Sequence, residues 1–180
     1  MKWLIASDLH GSAQYCEALL QAYKNEGAER LILLGDVLYH GPRNDLPDRY
    51  APKSVIAMLN EMKDSILCVR GNCDTEVDQM VLDFPVMAEY ALLEAKNRVV
   101  FLTHGHVFNE KHVPPVRKGD IVLHGHTHVP RCEEHDGIMY LNPGSTSIPK
   151  GGSERGYMTF DGSTFVWKTL DGREYNSFTI

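Results

Sequence analysis

The sequence predicts an α/β fold, α+β-like in its second half, in a single domain over residues 1–180, and three observations carry the prediction. Short apolar runs alternate with amphipathic segments of helix length through the first half. The second half replaces those helices with strand pairs set off by Asp-Gly turns. A chain of 180 residues with 43% hydrophobic and 23% charged content is long enough for one buried core.

The elements follow in order. Lys2-Trp3-Leu4-Ile5-Ala6 is an apolar run of strand length that breaks into Ser7-Asp8-Leu9-His10-Gly11. Ser12 is placed to cap a helix whose stripe is Tyr15, Cys16, Leu19, Ala22 and Tyr23, and Gly27 closes it. Residues 30–34 form a second strand, followed at once by Gly35-Asp36. The prolines, glycine and mixed charges between residues 39 and 52 spell a loop long enough to cover a site. Val55, Met58, Leu59 and Met62 mark a helix face, and residues 65–69 a third strand ending in Arg70-Gly71-Asn72-Cys73-Asp74. A helix is expected to about Leu82, with Met80, Val81 and Leu82 packed inward. Residues 89–95 and 98–103 read as a hairpin turning at Lys96-Asn97 and running into His104-Gly105-His106. The apolar run Ile121-Val122-Leu123 leads into His124-Gly125-His126-Thr127-His128, several imidazoles sharing one direction. Beyond it, Asp136-Gly137, Asp161-Gly162 and Asp171-Gly172 separate short antiparallel strands. Gly11, Gly35, Gly71, Gly105 and Gly125 are read as turn residues.

Composition narrows the function. A formal charge of -6 without a basic patch argues against nucleic acid or an anionic membrane as partner. Met1-Lys2 run straight into the first strand and no apolar run approaches the roughly 20 residues of a membrane span, so a cytoplasmic location is expected. Cys16, Cys68, Cys73 and Cys132 form no CxxC pair, which fits reduced thiols. What remains is the set of polar residues at strand ends: Asp8, His10, Asp36, Asn72, His104, His126 and His128. Loops converge at the carboxyl ends of strands in α/β sheets, so these side chains are expected to meet. Mixed oxygen and nitrogen donors without thiolate suit a divalent ion such as Mn, Fe, Ni or Zn over a structural zinc.

Asp8-x-His10, Gly35-Asp36, Gly71-Asn72-x-Asp74, His104 and Gly125-His126-x-His128, in that order, resemble the signature blocks of the calcineurin-like metallophosphoesterases. The resemblance implies a two-sheet β-sandwich flanked by helices and hydrolysis of a small-molecule phosphoester. It implies two divalent ions, with Mn the first choice: Asp8, His10 and His128 on one, Asn72, His104 and His126 on the other, Asp36 bridging. Two such ions against two carboxylates leave an excess of about two positive charges, a local attraction for phosphate within an acidic protein. The expected mechanism is in-line attack by a metal-bridging hydroxide, without a covalent intermediate. Asn72 would serve both metal and phosphate, and Asp74 would orient a neighbour.

One position departs from the family. Many members carry His where Cys73 stands, and a thiol of pKa about 8.5 is a poor proton donor. The expectation is therefore a phosphodiesterase favouring acidic leaving groups. His106 is the candidate replacement donor, or else a hydrogen-bonded loop histidine. Arg43 is the candidate phosphate contact from the long loop. His40, His112 and His135 are read as surface or loop residues. The alternatives are a phosphomonoesterase or nucleotide phosphatase, and a non-catalytic scaffold like the retromer subunit. Residues 86–101 and the tail offer strand edges for a homo-oligomer.

Overall fold

The computed structural model describes residues 2–180. Its first strand, β1 (Trp3–Ala6), leads to helix α1 (Ala13–Asn25), strand β2 (Arg30–Leu33), helix α2 (Pro52–Asn60), strand β3 (Ile66–Cys68) and helix α3 (Glu76–Val81). The rest is strand: β4 (Tyr90–Ala95), β5 (Arg98–Thr103), β6 (Ile121–Leu123), β7 (Arg131–His135), β8 (Ile138–Asn142), β9 (Gly156–Phe160), β10 (Thr164–Thr169) and β11 (Glu174–Thr179). They form a six-stranded sheet, β11-β10-β9-β1-β2-β3, and a five-stranded sheet, β4-β5-β6-β8-β7. Both sheets are mixed, because the crossover strands pair in parallel and the hairpin strands antiparallel.

Strand parity builds the layers. Leu4 and Ala6 of β1, with Leu31 and Leu33 of β2, turn toward Cys16, Leu19, Val55 and Leu59 on the helices. Their alternates Ile5, Ile32 and Leu34 meet Val100, Leu102, Ile121, Leu123 and Leu141 of the other sheet. These strands are apolar on both faces because each face is covered. The outer face of the five-stranded sheet carries Phe101, Val122 and Tyr140. Among the described residues no helix covers it; Phe108 and Val116 from the connection to β6 do so, and the described helices flank one sheet. Among the described residues no helix is long and apolar enough to cross a membrane.

Local chemistry sets the element ends. Ser12 Oγ accepts the Tyr15 N–H at the start of α1. At its end Gly27 is left-handed at φ 59°, while the Gly27 and Ala28 N–H groups donate back to Lys24 and Tyr23. The β4–β5 turn places both Lys96 and Asn97 at positive φ, 47° and 65°, the twist that a tight hairpin requires. Helix α3 departs from expectation. Met80 is 82% exposed and Val81 41%, and only Leu82 is buried, because the helix is too short to present a full apolar stripe to the core. The four cysteines are free thiols.

Candidate metal centre

The strands ending in the polar residues belong to different sheets, β1, β2 and β3 to one and β5 and β6 to the other. Their carboxyl-end loops still converge, since the sheets face each other. Hydrogen bonds zip these loops together: Asp8 N–H to Gly35 O, His10 N–H to Asp36 O, Gly125 N–H to His104 O and Thr146 N–H to Ser7 O. Asp8, His10, Asp36, His104, His126 and His128 meet there with Asn72.

Two clusters of donor atoms result. In the first, Asp8 Oδ1 lies 3.2 Å from His128 Nε2 and 3.6 Å from His10 Nε2, and the two imidazole nitrogens are 3.3 Å apart. In the second, His104 Nε2 lies 3.1 Å from Asn72 Oδ1 and 3.3 Å from His126 Nδ1. Asp36 Oδ2 stands between them, 3.7 Å from His10 Nε2 and 3.5 Å from His104 Nε2. Donors about 2.1 Å from a common divalent ion sit roughly 3.0–3.5 Å from one another, close to the spacing observed.

Three observations test whether these residues suit a metal. Asp8 Oδ1 is buried and accepts no hydrogen bond among the described residues. The Nδ1 atoms of His10, His104 and His128 face the carbonyls of Tyr39, Leu34 and Ile148 at 2.7, 2.6 and 2.7 Å. Donation there assigns the proton to Nδ1 and turns the Nε2 lone pairs inward, the second contact usual for a metal-bound histidine. His10 and His128 then present lone pair to lone pair, which is favourable only with a proton or cation between them. Groups of carboxylate, imidazole and thiol donors within 4.8 Å of one another occur here as Asp8–His10–His128, His10–Asp36–Cys73 and Asp8–Asp36–His104. The donor set fits divalent ions.

The electrostatics agree. Burial would raise the Asp8 carboxyl, yet His10 and His128 hold it well below the usual carboxylate range. Burial likewise opposes charge on His104, but the Asp36 carboxylate beside it prevails and lifts it to about 9 without metal. Burial and His104 push His126 down to about 4, leaving a neutral donor. This is a site built to attract a cation and to exchange a proton for it.

Surrounding groups fix the geometry. Asp8 Oδ2 accepts the Ser7 hydroxyl at 2.7 Å and the His126 N–H at 3.0 Å. Asp74, buried, accepts the N–H groups of Asp36, Val37 and Gly71, so it orients the Asp36 turn. Asp36 Oδ1 accepts the Cys73 N–H at 2.8 Å, freeing Oδ2 for the clusters. Two glycines of the site owe their identity to close approach alone. Neither Gly71 nor Gly125 has positive φ; a β-carbon on Gly71 would overlap Asp36 Oδ1, and one on Gly125 would overlap Ser7 Oγ. The turn reading is corrected for these two and holds for Gly11, Gly35 and Gly105, whose φ values are positive.

A cavity of about 610 Å³ opens over the clusters, with Arg43 and Lys150 among its lining residues beside Asp36, Asn72 and His128. Cys73 is buried at its edge, its Sγ accepting the Asn72 amide at 3.2 Å, and burial with nearby Asp36 pushes the thiol up. His106 is exposed outside that lining, its ring 5.3 Å from that of His104. Partial desolvation and neighbouring His104 lower its pKa. His124 belongs to neither cluster; it is buried, with Nδ1 3.0 Å from Gly125 O. His40 is partly covered, its ring edge-on to Tyr39 and Tyr50, whereas His112 and His135 are exposed.

Several residues here escaped the sequence reading: Ser7, Lys150 and the buried run after β8. Asn142 ties its amide to Gly125 O at 2.8 Å, and the Ser145 and Ser147 hydroxyls donate to Asp8 O at 2.7 and 3.0 Å. The available signal was the small polar stretch Ser145-Thr146-Ser147 directly behind a strand and an Asn-Pro-Gly turn.

Comparison with known proteins agrees with this geometry. Residues 1–164 match the model of the calcineurin-like phosphoesterase superfamily domain. The chain is 47% identical over 161 residues to phosphodiesterase YfcE of Escherichia coli K12, covering 89% of this chain and 88% of that protein. The solved structure of E. coli YfcE, described as a phosphoesterase, superposes with a TM-score of 0.95 at 43% identity over 100% of both chains. Vacuolar protein sorting 29 from Cryptosporidium parvum, at 19% identity, TM-score 0.61 and coverage of 99% and 98%, shares the fold. With the family model spanning most of its length, the chain belongs to the calcineurin-like phosphoesterase superfamily.

Proposed function

We propose that this protein is a metal-dependent phosphodiesterase working through a dinuclear centre. The observation that carries the proposal is Asp36 Oδ2, set between His10 and His104 at 3.7 and 3.5 Å so that one carboxylate serves both donor clusters. A bridging carboxylate is what two neighbouring cations need to offset their repulsion. Asp8, His10 and His128 would hold one ion, Asn72, His104 and His126 the other, and manganese is the ion of first choice for this oxygen and nitrogen set. Such ions supply positive charge for the phosphoryl oxygens and bring the pKa of a water near neutrality for in-line attack.

The chain supplies position and charge. Asn72 turns Oδ1 toward His104 and one amide hydrogen toward Cys73 Sγ, which leaves its second amide hydrogen for a phosphate oxygen. Cys73 stays protonated and orients Asn72. Arg43 and Lys150 place cations at the cavity wall, suited to an anionic ester. With the Cys73 thiol pushed up by burial and His106 outside the cavity lining, neither is placed to protonate a poor leaving group, and diesters of acidic alcohols are the preferred substrates. The curated E. coli relative is named a phosphodiesterase, which supports the same class. A pure scaffold would have no need of a buried carboxylate oxygen without a partner beside inward-facing imidazoles.

The test is turnover of an aryl phosphodiester and the matching monoester by metal-stripped protein titrated with manganese. Diester hydrolysis should appear as the second equivalent binds, and Asp36→Ala should lose at least 100-fold in kcat/KM together with that second equivalent. Full metal occupancy without turnover of either ester would overturn the assignment.

A further inference from the structure

Beside the metal-facing cavity, and continuous with it through Tyr39, Cys73 and Thr75, runs a second groove of about 380 Å³. Its walls are Leu38 and Tyr39 from the loop after β2, Tyr50, Pro52 and Ile56 leading into α2, and Val77 and Val81 on α3. Its chemistry is opposite to that of its neighbour. The metal-facing cavity carries Arg43 and Lys150, whereas the groove contains no cation. Its single ionisable carboxylate, Asp78, is already engaged, accepting the Thr75 N–H at 2.6 Å and the Thr75 hydroxyl at 3.0 Å. The volume lies within the roughly 300–1,000 Å³ of small-molecule pockets. Two of the exposed apolar side chains of α3 line the groove, Val77 at 67% and Val81 at 41% exposed, whereas Met80 lies outside its lining.

We infer that this groove is the specificity subsite for one ester arm of the substrate, and that the arm it takes is uncharged and apolar, an aryl or alkyl group. The inference rests on the phosphoester reading of the neighbouring site. A phosphate seated near Asn72 would have one arm within reach of the groove past Cys73, a residue that lines both spaces. An arm bearing a phosphate or carboxylate would enter a space with no cation to meet it and with Asp78 nearby. An apolar arm would instead displace water from Tyr39, Tyr50, Ile56, Val77 and Val81.

Calorimetric titration of the manganese-loaded protein with the phosphinate isosteres of diphenyl and dimethyl phosphate, in which CH2 replaces each ester oxygen so that neither ligand is hydrolysed, tests this, using wild type, Val77→Lys and Val81→Asn. Both positions are exposed on α3, so the fold tolerates the changes. Wild type should bind the diphenyl isostere at least 10-fold more tightly than the dimethyl one, and the gap should close in both variants with affinity for the dimethyl isostere unchanged. Equal affinity for the two isosteres in wild type, or a gap that survives both substitutions, would overturn the subsite while leaving the phosphodiesterase assignment standing. Absence of binding by either isostere, alongside absent diester turnover, would overturn both. A change of oligomeric state in Val77→Lys with the gap intact would identify the groove as an interface between copies and overturn the inference.

Discussion

Asp8, His10, Asp36, His126 and His128 share a backbone conformation that residues with a β-carbon avoid, at φ values of 56°, 49°, 55°, 69° and 61°. Each costs about 1–2 kcal/mol relative to a relaxed backbone, and such strain collects at functional sites. Here the cost is met by the loop-to-loop hydrogen bonds, by Asp74 under the Asp36 turn and by Ser145 and Ser147 under Asp8. A testable consequence follows for His126, whose side chain is only partly buried and whose N–H, not its ring, secures Asp8. In the presence of a chelator, His126→Gly should be more stable than wild type by about 1 kcal/mol, because glycine relieves the left-handed strain. The same variant should bind metal more weakly and lose activity. Thermal denaturation with chelator, set beside metal content, measures both, and a destabilised chelated variant would show that the ring itself supports the loop.

At the scale of elements, the hairpin turn and the third helix show what pattern and propensity each decide. Lys96 and Asn97 sit where a two-residue turn needs positive φ at both positions, and asparagine tolerates this better than lysine. Lys96→Gly should therefore raise stability by about 0.5–1 kcal/mol in chemical denaturation, since the contact it removes, Lys96 Nζ to Ile180 O, is exposed. The hairpin and its turn were legible because strand alternation and turn chemistry are local. Helix α3 was legible as a helix, with a Thr75–Asp78 capping box, but not in its orientation. Met80 and Val81 look like core residues by type, but a helix of this length leaves both exposed, Val81 on the wall of the groove and Met80 outside it.

At the scale of the whole molecule, Glu26 joins the end of α1 to the six-stranded sheet. Its carboxylate accepts Lys2 Nζ at 2.6 Å, Lys168 Nζ at 2.9 Å and the Tyr157 hydroxyl at 2.9 Å. Burial opposes the charge, but these donors pull its pKa down to about 2 from 4.5. A depressed carboxylate contributes its stability above about pH 4.5 and loses it as the pH falls toward 2. Glu26→Gln should cost about 1–2 kcal/mol at pH 7, after discounting for its position near solvent, and should flatten the loss of stability between pH 4.5 and 2. Denaturation midpoints across that range check this, and an unchanged slope would refute it.

The pairing of strand ends with Asp, Asn and His was readable from sequence, because apolar runs and polar residues lie side by side along the chain. So was the expectation that Asp8, His10, Asp36, Asn72, His104, His126 and His128 would meet. The two sheets were implied by the resemblance; what only the tertiary structure decided was how the loops of both share one rim, with Gly71 and Gly125 keeping space for Asp36 and Ser7. The same holds for Lys150, Ser145 and Ser147, which reach the site from a loop beyond β8, and for the apolar groove beside it. The physical reason is range. Periodicity and turn chemistry act over a few residues and are written locally, whereas cavities, close approaches and shared carboxylates arise from surfaces that are distant in sequence and are brought together only by packing.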